Sequence, residues 1–192
     1  MRKSKQDAAR TRERILDAAA LELRRKGITG TGLADLMAAA GLTHGGFYRH
    51  FASKDQLVAE ACSALIDAGD EMNAALLTQD GKRNGLEAFA QSYLSEDHRD
   101  DPSGGCLLAA LGSELARADE KTRRVVTEGL SKFVDRIASQ CRGMRRDVAK
   151  GRALVALSTL VGALTLARMV TDPKLSKALL REAAKHVPTL IP

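Results

Sequence analysis

The stretch Gly27–Leu57, GITGTGLADLMAAAGLTHGGFYRHFASKDQL, decides the reading of this chain. Two short helix-compatible runs lie in it, separated by Gly41. Thr31 is the expected N-cap of the first, which covers about 32–40 and stops at Gly41; Thr43 is the expected N-cap of the second, about 44–50. Leu33, Leu36, Met37, Leu42, Phe47 and Phe51 are spaced to hold both runs against neighbouring helices. Runs of two or three turns do not persist alone in water, so this packing is required. Two short helices joined through a glycine turn form a helix-turn-helix, whose second helix enters the major groove of duplex DNA.

The surroundings are helical too. Upstream, residues 8–26 form a stripe of Ile15, Ala19 and Leu23, with Arg14, Asp17, Arg24 and Arg25 facing away and Gly27 ending the helix in a left-handed conformation. Downstream, Ser53 caps a long helix that carries Leu57, Val58, Ala61, Leu65 and Ile66 and ends near Leu77, before an Asp80-Gly81 turn. Further helices are expected over about 84–94, from 102 or 103 to 118, and over 119–142, 145–170 and 173–187, with 95–105 as a polar loop. Val126, Leu130, Phe133 and Ile137 mark the expected buried face of one of these. No segment alternates as a half-buried strand does, and an Ala- and Leu-rich composition with 3% aromatics suits packed helices. The expected fold is all-α: about nine helices, with a three-helix DNA-binding unit over 1–55 and a larger regulatory and dimerisation unit over 56–192.

Within the second short helix, Gly45 and Gly46 each cost about 1 kcal/mol relative to Ala. Such a cost is consistent with close approach of the backbone to a partner. Thr43 and Tyr48 offer hydroxyls to phosphates, His44 a ring nitrogen to a base edge, and Lys54 a cation in the first turn of the following helix. His50 divides between packing and phosphate contact.

Gly41-Leu42-Thr43, Phe47-Tyr48-Arg49-His50-Phe51 and Ser53-Lys54 resemble the DNA-binding signature of the tetracycline-repressor (TetR) family, closely over residues 10–60 and by helix count and length beyond. The resemblance implies a bacterial, cytoplasmic transcription regulator, most often a repressor. It also implies a homodimer on a palindromic double-stranded DNA operator, with C-terminal helices forming the dimer interface and a small-molecule pocket. It places Thr31, Thr43, Tyr48 and Lys54 on phosphates and His44, Gly45 and Gly46 against bases. Gly32 departs from the family's bulkier residue and predicts a looser start to the first short helix.

The formal net charge of +6 is uneven: residues 1–60 hold 11 Lys and Arg against 7 Asp and Glu, as suits the part that meets a polyanion. Cys62, Cys106 and Cys141 form no close pairs, which fits a reducing compartment and neither a zinc site nor a disulfide framework. The basic N-terminus, with Arg2, Lys3 and Lys5, has no apolar stretch behind it and is not a secretory signal. The apolar run 153–170 contains Ser158, Thr159, Thr165 and Arg168 and reads as a helix at a subunit interface rather than a membrane span.

Cys106 is the candidate sensor: a helix starting near Pro102 would place its thiol in the first turn, where the helix dipole favours a thiolate. Cys62 and Cys141 read as core. Asp97, His98, Asp100 and Asp101 read as a solvated acidic loop, because no second histidine stands at helical spacing. No metal or cofactor is expected, and no convergent set of acid, base or nucleophile suggests an enzyme. Met72, Met144 and Met169 suit either an apolar pocket or ordinary core, and no ligand is identified. The remaining rival is a basic module that binds DNA without sequence preference, with a steep salt dependence.

Overall fold

The computed structural model describes residues 5–77, 85–141 and 143–190, and these are helical throughout, with no strand among them. The helices are α1 (Lys5–Lys26), α2 (Leu33–Ala39), a 3₁₀ segment (His44–Arg49), α3 (Lys54–Leu77), α4 (Gly85–Tyr93), α5 (Glu96–Asp100), α6 (Leu107–Leu115), α7 (Glu120–Ala138), α8 (Arg146–Met169), α9 (Pro173–His186) and a closing 3₁₀ turn (Val187–Leu190). The Asp80-Gly81 turn, the expected helix boundaries at Asn84 and Arg142, and Arg2 and Lys3 lie outside the described residues.

Local signals set several of these ends. Gly27 and Gly41 take φ of +83° and +67°, the left-handed values that stop α1 and α2. The Ser53 hydroxyl accepts the N–H of Gln56, and Asp119 and Asp172 accept the N–H groups of Thr122 and Lys174 at the starts of α7 and α9.

Two apolar cores result. The N-terminal one joins Ile15, Leu23, Leu36, Met37, Phe47, Phe51 and Leu57 with Leu107, Leu111 and Leu115 of α6. The other joins Leu86 and Phe89 of α4, Ile137 of α7, Ala153, Leu160 and Leu164 of α8 and Leu180 of α9, with Val187 of the closing turn. Cys62 and Cys141 are buried in these cores, as expected.

Five expectations need correction. The second short helix is a 3₁₀ segment, because Gly45 and Gly46 have too little helix propensity to sustain α geometry. The N-cap of α2 is Gly32, not Thr31; the Asp35 carboxylate accepts the Gly32 N–H, so the turn is held without a side chain at that position. Residues 95–105 are not simply a loop: Ser95 accepts the N–H of His98 and starts α5. The next helix begins at Leu107, with Cys106 as its N-cap rather than a first-turn residue, and ends at Leu115. Finally, Leu130 of α7 is 37% exposed, and Val126 and Phe133 are only partly buried, because this stripe fronts a cavity instead of solid core.

Candidate nucleic-acid interface and ligand cavity

The 3₁₀ segment presents one face to solvent. Phe47 anchors it, stacked on Phe51 with ring centroids 5.7 Å apart, while Thr43, His44, Gly45 and Arg49 are exposed and Tyr48 is 66% exposed. A Cβ on Gly45 would meet nothing within 4 Å, so this backbone is open to close approach from outside. Gly46 is half-buried, with its Cβ direction 3.6 Å from Met37. His50 caps the segment and is half-buried. Arg49, exposed beside Tyr48, adds a cation that the sequence reading left out.

Two expected contacts are engaged inside the chain. Thr31 is fully buried and its hydroxyl donates to the Gly27 carbonyl at 2.6 Å, so it locks the α1–α2 turn instead of facing a phosphate. Lys54 Nζ donates to the Ile28 carbonyl at 2.6 Å and staples α3 to the same turn. The Glu114 carboxylate of α6 completes the arrangement, accepting the N–H groups of Ile28 (3.0 Å) and Thr29 (2.8 Å). Burial pushes its pKa up, but these hydrogen bonds outweigh it and hold the carboxyl below its usual range.

At the other end of α6 lies a cavity of about 700 Å³, within the size range of small-molecule sites. Ile66, Phe89, Leu107, Val126, Leu130 and Phe133 supply much of its apolar wall, and Met72 lines it as well. Met144 packs on the core and Met169 is 69% exposed.

One end of the cavity is polar. Cys106 is half-buried there, and the Tyr93 hydroxyl has only this weakly accepting thiol beside it. Burial, with the thiol beside it, pushes the Tyr93 phenol well above its usual pKa. His98 is no solvated loop residue. Its Nδ1 donates to the Tyr93 carbonyl at 2.6 Å, and its Nε2 accepts the N–H of Cys106 at 3.1 Å. Burial pulls the His98 pKa down, which suits a ring nitrogen that must accept. Arg168 closes the back, donating to the carbonyls of His98 (2.6 Å) and Arg99 (3.1 Å). Arg24 does not face away: from α1 it reaches the Gly105 carbonyl at 3.0 Å and lines the cavity. Among the described residues no group of three His, Cys, Asp or Glu is placed to hold a metal ion.

Residues 15–61 match the profile of the bacterial regulatory proteins of the tetR family. An uncharacterized HTH-type transcriptional regulator of Mycobacterium tuberculosis is 30% identical over 169 residues, covering 84% of this chain and 86% of that protein. The chain belongs to the TetR family of transcriptional regulators. The transcriptional repressor NemR of Escherichia coli is 28% identical over 62% of this chain and 61% of its own length. The crystal structure of its reduced form superposes with a TM-score of 0.77 at 23% identity, over 95% and 97% of the two chains. A TetR regulator from Chloroflexus aurantiacus matches equally well in fold, with a TM-score of 0.77 at 25% identity over 95% and 96%.

In this TetR-family chain, the sequence located the residues of the 3₁₀ segment and Cys106. It did not disclose Arg24, Tyr93, His98 and Arg168 as one cluster. They come from α1, α4, α5 and α8, and no local spacing connects them.

Proposed function

We propose that the chain is a cytoplasmic repressor that holds a palindromic operator as a homodimer and releases it when a small molecule fills the cavity. The DNA-binding unit is residues 1–55 and the regulatory unit 56–192. Thr43, His44, Gly45, Gly46, Tyr48 and Arg49 face the DNA, with His50 at the phosphate edge. The observation that carries the reading is the placement of α6. Its N-cap, Cys106, lines the cavity, and Glu114 near its other end holds the backbone of the α1–α2 turn. Movement at the cavity therefore reaches the unit that bears the recognition segment.

The dimer face is the outer side of α8 with α9. Leu154, Val155, Leu166, Met169 and Leu175 are exposed there, and the Cβ directions of Gly151 and Gly162 are open, which permits close helix approach. Helix α8 is long and apolar enough to cross a membrane, but its other side forms the chain's own core. A partner helix suits such a one-sided surface. Two recognition segments would then sit about 34 Å apart, one turn of duplex.

A second trigger is favoured by the surroundings of Cys106, which lies near the guanidinium groups of Arg24 and Arg168. Peroxide would oxidise the thiol to a sulfenic acid and release water. The solved reduced form of NemR, a relative, is in keeping with such a trigger.

Selection of bound sequences from a random DNA pool, with and without peroxide, tests both parts. An enriched palindrome is expected, lost under peroxide in the native protein and retained by Cys106→Ser. No enrichment would leave a non-specific DNA binder, and loss that persists in the Cys106→Ser variant would remove the thiol trigger.

A further inference from the structure

We propose that the cavity takes an apolar carboxylate, its hydrocarbon body against Phe89, Leu107 and Phe133 and its carboxylate at the Tyr93 hydroxyl, within the field of Arg24 and Arg168. This deepens the reading of a ligand-released repressor and rests on it.

Three observations carry the assignment. First, Tyr93 Oη and Arg168 Nη1 are buried near this end without a hydrogen-bond partner of ordinary geometry, Tyr93 Oη having only the Cys106 thiol beside it. Buried polar groups are normally hydrogen-bonded, so each such atom needs an explanation. A phenol donates readily, so an acceptor in the cavity satisfies Tyr93, and the unpartnered Arg168 donor behind it adds positive charge to the same end. Tyr93 is itself more than nine-tenths buried and lines the cavity.

Second, the charge at this end is net positive, two guanidinium groups against the single nearby carboxylate of Asp101. Arg24 and Arg168 make hydrogen bonds to backbone carbonyls (Ala20 and Gly105 for one, His98 and Arg99 for the other), and among the described residues neither forms an ion pair. Of the cavity's acids, Asp67 and Asp97 are exposed and Asp70 is held by Arg136; Asp101, also exposed, lies near both arginines but its Oδ1 already accepts from Ser103 and Gly104. A cationic ligand would find only exposed or occupied carboxylates, whereas an anion at the Tyr93 end meets its hydroxyl and the Arg24 guanidinium, with the Arg168 charge behind the cavity wall.

Third, Arg24 belongs to α1, the first helix of the DNA-binding unit. A carboxylate competes with the Gly105 carbonyl for its Nη1. The ligand's charge would then act on the DNA-binding unit directly, alongside the route through α6.

The test uses three probes of one shape on the full-length protein: 1-naphthoate, 1-naphthalenemethanol and 1-naphthylmethylamine. Calorimetry reads binding and fluorescence anisotropy reads release of the selected operator. Naphthoate is expected to bind about tenfold more tightly than the alcohol, the worth of a charge-assisted hydrogen bond, with the amine weakest. Arg24→Gln and Tyr93→Phe should each shrink the acid's advantage while circular dichroism stays unchanged. Equal binding of acid and alcohol, tightest binding of the amine, binding of none of the three, or an acid preference that survives both substitutions would each overturn the assignment. If the alcohol binds as well as the acid and still releases the operator, the ligand class falls and the repressor reading stands. If naphthoate binds with its predicted preference but the operator stays bound, the ligand class stands and the release mechanism falls.

Discussion

The Glu114 carboxylate and the Thr29 amide meet at 2.8 Å across 85 residues of sequence. With the neighbouring bond to Ile28, this contact ties the end of α6 to the turn that orients α2 and the 3₁₀ segment. Glu114→Ala removes two hydrogen bonds to a charged acceptor and should cost about 1–3 kcal/mol of stability. Operator binding should survive, but release by a cavity ligand should be blunted, because the DNA-binding unit no longer follows α6. Anisotropy titrations with and without ligand check this; an unchanged ratio of the two affinities would show that the signal travels another way. The same contact gives a pH dependence. The folded carboxyl titrates below its ordinary value of 4.5, so its contribution is complete above that value and disappears as pH falls through the lower, folded one. Native thermal stability should therefore fall more steeply in acid than that of Glu114→Ala.

The recognition segment separates a folding cost from a binding gain. Gly45 has open space where a Cβ would go, so Gly45→Ala fits without a clash. Removing a helical glycine should leave thermal stability equal or raise it by up to about 1 kcal/mol. Operator affinity should fall all the same, since the added methyl stands where the DNA would approach. Paired melting curves and operator titrations measure the two effects, and unchanged affinity would move the DNA-facing surface away from Gly45.

The DNA-binding unit was legible because its signals are local. Left-handed glycines at 27 and 41, the Ser53 cap and the Phe47-Phe51 pair all act within a few residues, and they ended or anchored the elements as read. The cavity was not legible because it is an absence between helices. Val126, Leu130 and Phe133 have the periodicity of a core face, and periodicity does not distinguish a packed neighbour from a void. Arg24 was misread for a related reason: its partner, the Gly105 carbonyl, lies 81 residues away. The start of α6 slipped to Leu107, with Cys106 as its N-cap, because the polar run before it, rich in Asp and containing Pro102, had enough local capping to close α5 as a separate short helix.

His98 should make the cavity end sensitive to acid. Its folded pKa lies below the ordinary 6.5, chiefly through burial, so the neutral ring is the native form. Its contribution is complete above that ordinary value and is lost as pH falls through the lower, folded one. Protonation removes the lone pair that accepts the Cys106 N–H and adds a cation near Arg168. As pH falls below 6.5, the protection factor of the Cys106 amide (its exchange rate divided into the intrinsic rate at the same pH) should drop in the native protein. In His98→Gln the protection factor should not change with pH over the same range. A constant protection factor in the native protein would mean that the loop is held by Arg168 and the Asp101 contacts alone.

The outer face of α8 offers a test of assembly that does not depend on any ligand. Leu160 falls in the apolar run 153–170 that reads from sequence as an interface helix, yet it is fully buried in the chain's own core, so Leu160→Glu should unfold the subunit and report nothing about partners. Val155, 53% exposed, and Leu166 lie on the opposite side, flanking Gly162. Val155→Glu and Leu166→Glu introduce a charge that a solvated surface tolerates and an apolar interface does not. Both variants should keep their helix content and sediment as monomers. Operator affinity should then drop by at least about 100-fold, because two half-sites must be engaged independently instead of through one linked binding event. Gly162→Leu provides a steric counterpart without charge and should act in the same direction. Dimers that persist in all three variants would place the subunit contact on another surface and leave the apolar side of α8 without a partner.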